Sequence, residues 1–144
     1  MNRTQLQKIG TLAKTFVNQF PSFQTCDWAY NKCKFASLEL CRVLRLNGIN
    51  AEIVHFQGKR VSYPDAHKEW VEKPDADWSH YGVRIDGAVV IDCTARQFEP
   101  ECAVPIIEAS IDTQLKWVTV EVDVFLNSWA DELVKASKAS GELS

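Results

Sequence analysis

The chain has 144 residues, enough for one domain with a real hydrophobic core, and its 46% hydrophobic and 24% charged residues are ordinary globular values. The net charge of -3 argues against a nucleic-acid binder. No apolar run approaches the ~20 residues that a membrane span needs.

The first expected element is a helix over residues 3–18, where Leu6, Ile9, Leu12, Ala13 and Phe16 recur at helical spacing and Pro21 follows as a stop. Residues 21–32 read as a polar and aromatic loop. A second helix is expected from Cys33 to Leu46, with Ala36, Leu40, Val43 and Leu44 facing inward. Asn47-Gly48 ends it, because glycine tolerates the left-handed conformation at a helix C-terminus. Ile49 to Phe56 alternates as a strand does, and residues 57–77 form a long polar connection with two prolines. A hairpin follows, with strands His80–Asp86 and Ala88–Cys93 around an Asp-Gly turn. Residues 99–114 read as irregular, with Pro100 and Pro105. Lys116 to Asp123 reads as a further strand, and residues 124–139 as an amphipathic closing helix. This order predicts a single α+β domain over residues 1–144, with an antiparallel sheet packed by helices on one side.

Five cysteines are present, Cys26, Cys33, Cys41, Cys93 and Cys102, and no two have CxxC spacing. An odd number at such spacings disfavours a zinc ribbon or a thioredoxin-like motif. Residues 1–20 lack the apolar stretch and cleavage site of a secretory signal. Reduced thiols and a cytoplasmic location are therefore expected.

The chemistry centres on three of these positions. The hairpin places His80 at the head of its first strand and Asp92 at the end of its second, so the antiparallel return makes them neighbours. Cys33 heads a predicted helix, whose unpaired N–H groups and dipole favour a thiolate. A nearby histidine would act as base and a carboxylate would orient it, while the helix-end N–H groups could hold an oxyanion. Taken singly, each residue has a plain structural reading: a buried thiol, a polar strand end, a turn or cap residue. The order Cys, His, Asp, with the last two on one hairpin, favours the functional reading. Cys26 is the other candidate thiol, but no helix pattern starts there.

The same residues carry a resemblance. Cys33, Ser37, Leu40, Leu44 and Leu46, followed by Gly48-Ile49-Asn50-Ala51, and then His80 through Asp92-Cys93-Thr94, resemble the papain-like and transglutaminase-like superfamily of cysteine hydrolases. The continuation Thr94-Ala95-Arg96-Gln97-Phe98, with Pro100 and Pro105, is similar to compact bacterial papain-fold toxins and deamidase-like or protease-like domains. The resemblance covers about residues 30–107. It implies a papain-like or transglutaminase-like core with the nucleophile at a helix N-terminus and a Cys33-His80-Asp92 triad. It also implies a protein or peptide amide as substrate and no cofactor. Papain has a glutamine shortly before its cysteine as an oxyanion donor. Gln24 does not match that spacing and Asn31 is the alternative, so the oxyanion hole here is expected to be largely backbone.

Remaining polar residues are weighed against plainer roles. Arg96 and Gln97 follow the hairpin and either support Asp92 or Cys33, or pair a carboxylate and cap a turn. Trp70 and Trp78 flank an acidic segment and either line a substrate groove or pack under the loop. His55 lies in an apolar strand and His67 in a charged loop; with Cys93 or Cys102 their spacings are not diagnostic of zinc, and no metal site is expected. The expected function is thiol-dependent acyl transfer on an amide: proteolysis, glutamine deamidation or transglutamination. The rivals are a catalytically silent papain-like module that binds a partner protein and a small accessory protein with structural thiols.

Overall fold

Asn2 starts the first helix by accepting the Gln5 N–H at 2.8 Å while the Gln5 side chain takes the Asn2 N–H at 3.0 Å. This reciprocal capping box launches α1, Arg3–Asn18. The computed structural model describes residues 2–20, 32–59, 77–94, 105–108 and 119–141. Within them α1 is followed by α2 (Cys33–Leu46), β1 (Ala51–Lys59), β2 (Asp77–Ile85), β3 (Val89–Asp92), β4 (Ile106–Glu108), β5 (Thr119–Val122) and α3 (Val124–Ala139).

The five strands form one sheet in the order β4-β3-β2-β1-β5, and every neighbouring pair is antiparallel. The α+β arrangement is thus the one that the sequence pattern predicts. Its long central pair is β1 with β2, in register from Ala51 opposite Ile85 to Lys59 opposite Asp77. The β2–β3 hairpin turns at Asp86 and Gly87, both with positive φ (52° and 68°). Two left-handed residues in succession give a turn whose twist matches the strands it joins. That fixes the return path of β3.

Along each strand, side chains alternate between the two faces. Ile53, Val83, Ile85 and Ile91 share one face and pack in a single core with Phe16 of α1, Leu40 of α2 and Leu126 of α3. The opposite parity carries Val54, Phe56, His80 and Asp92, which are also buried.

α2 stops where Gly48 takes φ +76°, and the main chain of Asn47 to Ile49 closes on Val43, Leu44 and Arg45. Its last turn is tied across the molecule. The Arg45 guanidinium donates to the Ala51 carbonyl at 2.9 Å, to Asn127 Oδ1 at 2.8 Å and to Asp131 at 2.6 Å. Asn127 then matches both main-chain groups of Ile53, accepting its N–H at 2.8 Å and donating to its carbonyl at 2.9 Å. The side-chain amide stands in for a neighbouring strand just beyond the end of β5, and it clamps α3 to β1.

Three expectations are adjusted. Ile106–Glu108 forms a short edge strand where an irregular stretch is predicted; three residues after Pro105 are too few to show alternation. β2 begins at Asp77, three residues before His80, because its partner β1 runs on to Lys59. The strand expected over Lys116–Asp123 ends at Val122, because Asp123 caps α3, and its residues 116–118 lie outside the described residues.

Asn127→Ala removes both bonds to Ile53 and one from Arg45. We expect it to lower the unfolding free energy by roughly 1–3 kcal/mol. Urea unfolding should show a lower midpoint at an unchanged slope.

Candidate active site

Cys33 occupies the first position of α2, after Lys32, which supplies no side-chain cap. The first intrahelical bond runs from Ala36 N–H to Lys32 at 2.8 Å. The amides of Cys33, Lys34 and Phe35 therefore precede the helical ladder and point out of its end. The thiol itself is partly buried.

His80 comes from β2, where it pairs with Phe56 of β1, and the two rings lie 6.3 Å apart. Asp92 ends β3. The His80 side chain is 0% exposed and that of Asp92 1%, and His80 Nε2 meets Asp92 Oδ2 at 2.8 Å. The second carboxylate oxygen accepts the Thr94 N–H at 3.0 Å. Both oxygens are thus held, and the imidazole plane is fixed by a buried charge-assisted bond.

The thiol of Cys33 lies close enough to this pair for each group to shift the ionisation of the other. Burial alone would push the thiol up. The hydrogen bond and positive charge of His80, with a further hydrogen bond from the Tyr81 main chain, outweigh it and hold Cys33 below its ordinary range. Burial likewise works against a charged His80, yet the Asp92 carboxylate and the Cys33 sulphur together raise its pKa. The two shifts favour the charged form of each group, the thiolate of Cys33 and the imidazolium of His80. The other described thiols behave differently. Burial pushes Cys41 up to about 11, and burial with the nearby Asp92 charge pushes Cys93 well above the ordinary range. Cys93 belongs to the helix-facing core, on the opposite face of β3 from Asp92.

Cys33, His80 and Asp92 are therefore brought together. Gln24, Asn31, Trp70, Arg96 and Gln97 lie outside the described residues, as do Cys26, His67 and Cys102. Trp78 contributes its main chain to β2 opposite Gly58; its side chain lies outside the description. His55 stacks on Tyr81 with centroids 4.5 Å apart, and burial lowers its pKa. Among the described residues, no group of three or more His, Cys, Asp or Glu side chains is arranged to hold a metal ion. None of the described helices is long and apolar enough to cross a membrane.

Two contributors escape a reading of the sequence. Thr94 matters through its main-chain N–H, which leaves no trace in residue type beyond the D-x-T pattern. Tyr81 acts on Cys33 through its backbone, and its position directly after His80 is the one available sign. Comparison with protein-family models, curated proteins and solved structures gives no match.

The thiolate is present above the lowered pKa of Cys33 and is lost as the pH falls through it. Residue-resolved alkylation should therefore find Cys33 reacting first at pH 6.5, with Cys41 and Cys93 silent. His80→Gln leaves burial nearly unopposed. The reactive limb of Cys33 should then move to higher pH, beyond that of a free thiol.

Proposed function

We propose that the protein is a thiol-dependent acyl-transfer enzyme acting on an amide of a protein or peptide, built on a papain-like or transglutaminase-like core. The observation that carries this reading is the buried His80–Asp92 bond with Cys33 within electrostatic reach of His80, at the uncapped start of α2. It couples a stabilised thiolate to a proton donor and to donors suited to an oxyanion.

His80 Nε2 is committed to Asp92 Oδ2, so Nδ1 is the nitrogen that exchanges a proton with the thiol. The Cys33 thiolate attacks the carbonyl carbon, and the C–O π electrons move onto oxygen. The outward-pointing amides at the head of α2 stabilise that oxyanion. As the intermediate collapses, the C–N bond breaks and the Nδ1 proton goes to the leaving amine. This leaves a thioester on Cys33 and a neutral imidazole. Water then gives a proton to Nδ1 as it attacks the thioester, and the acid is released. An amine entering instead of water gives a new amide. Asp92 keeps the ring in the productive orientation throughout.

The test is acyl-enzyme trapping. The protein is incubated with an activated ester such as p-nitrophenyl acetate, and adducts are located by peptide mass spectrometry. One acyl group on Cys33, released by hydroxylamine and absent from Cys33→Ala, is expected. Acylation no faster than in the urea-unfolded chain would point instead to a binding module with an inert site. Asp92→Asn should retain the fold and acylate at least about 100-fold more slowly, since the imidazole loses its orienting partner.

A further inference from the structure

The closing helix has two faces of different character. Leu126, Ala130, Val134 and Ser137 of α3 turn inward and are buried. At about 100° per residue, Phe125, Ser128, Trp129, Glu132, Ala136 and Ala139 fall in one stripe on the opposite side, and all six are exposed. Phe125 is 74% exposed, Trp129 49% and the adjoining Val124 76%. The Phe125 and Trp129 rings meet at a steep angle with centroids 6.2 Å apart, so two aromatic side chains are ordered against each other in contact with solvent. Apolar side chains scattered singly are ordinary on a surface, whereas a contiguous cluster marks an interaction site.

The stripe is graded along its length. Large aromatic side chains stand at its N-terminal end, the Glu132–Lys135 ion pair at 3.4 Å lies near its middle, and the small Ala136 and Ala139 stand at its C-terminal end. Two such helices laid antiparallel complement each other. With Glu132 opposite its own copy, Phe125 lies over Ala139, Ser128 over Ala136 and Trp129 over Lys135. Each large side chain then meets a small one or an ammonium, which an indole face attracts. The two Glu132 carboxylates are accompanied by two Lys135 ammonium groups, one from each copy, so the charges at the centre balance. A parallel pair would instead set Phe125 on Phe125 and Lys135 on Lys135.

The area is of the right order for a second copy. The exposed parts of Phe125 and Trp129 in two chains amount to on the order of 500 Å². That is about half of the ~1,000 Å² that a specific interface needs. The rest of a helix of 16 residues, about 24 Å long, is left to supply the remainder. Such a sum lies at the lower limit for specific association and fits a reversible dimer in the micromolar range.

We propose that the outer face of α3 is a dimer interface, in which two copies of this chain pack α3 against α3, antiparallel, about a two-fold axis beside Glu132. A two-fold contact uses the same patch on both copies, so assembly stops at two. The interface uses none of Cys33, His80 and Asp92, and it stands apart from the enzymatic reading.

The experiment is sedimentation equilibrium of the full chain from about 1 to about 200 μM, the range set by an interface at the lower size limit. The weight-average mass should rise from that of a monomer towards that of a dimer and no further. Trp129→Glu and Phe125→Glu should each raise the dissociation constant at least about 10-fold, with the far-UV circular dichroism and the urea midpoint of the native chain. A chain that stays monomeric throughout overturns the proposal and leaves the stripe to a partner of another kind. Association untouched by both substitutions overturns it as well, because the contact then lies elsewhere. The register is read by oxidation with copper phenanthroline followed by peptide mass spectrometry. Glu132→Cys should give a disulfide between two peptides carrying residue 132. Ser128→Cys should give no such 128–128 link, because those positions are roughly 12 Å apart along antiparallel helices. A link at 128 without one at 132 would contradict the antiparallel packing.

Discussion

The buried bond between His80 and Asp92 is the constraint on which the site depends. Neither side chain reaches solvent, so each must be satisfied by protein groups. Removing one partner of such a pair typically costs about 3–5 kcal/mol, because the other is left charged and unmatched. The carboxylate spends one oxygen on His80 Nε2 and the other on the Thr94 N–H. With Nε2 occupied, Nδ1 is the ring nitrogen left to serve Cys33 in the proposed reaction. The orientation of the imidazole follows from that single bond, and in the proposed reaction so does the nitrogen that exchanges a proton with the thiol.

The fold exists around this pair in a specific sense. A long β2 is held by β1 along nine residues, which gives His80 a rigid platform. The Asp86-Gly87 turn returns β3 so that Asp92 ends beside His80. At the far end of α2, Arg45 and Asn127 lock the helix to β1 and α3. A helix anchored at its C-terminus can bring its N-terminus to a fixed place, and that is where Cys33 stands. Gly82 serves the same geometry. A Cβ there would lie 3.0 Å from the Phe56 ring and 3.2 Å from the Ile91 carbonyl, so a side chain would push apart the strands that carry His80 and Asp92.

Much of this is legible in the sequence, and the reasons are local. The extent of α2 follows from its apolar spacing and from Gly48, and the closing helix from its own periodicity over Val124–Ala139. The meeting of His80 with Asp92 follows from a short turn at Asp86-Gly87 that sends β3 straight back along β2. Other features depend on contacts remote in the chain. Asn127 reaches Ile53 across 74 residues, and no pattern around it announces that partnership. β4 is too short for alternation to show.

The central claim is that Asp92 and His80 hold Cys33 as a thiolate beside a protonated imidazole. The most direct measurement is the ionisation of the His80 ring by nitrogen-15 NMR at neutral pH, in the native protein and in Cys33→Ala. Burial opposes the charged ring, while Asp92 and Cys33 raise its pKa. The account therefore predicts a doubly protonated His80 at pH 7, with the Nε2 proton shifted downfield by its bond to Asp92. It also predicts a lower pKa for that ring once the sulphur is removed. A neutral His80 at pH 7, titrating at the same pH with and without Cys33, would contradict it.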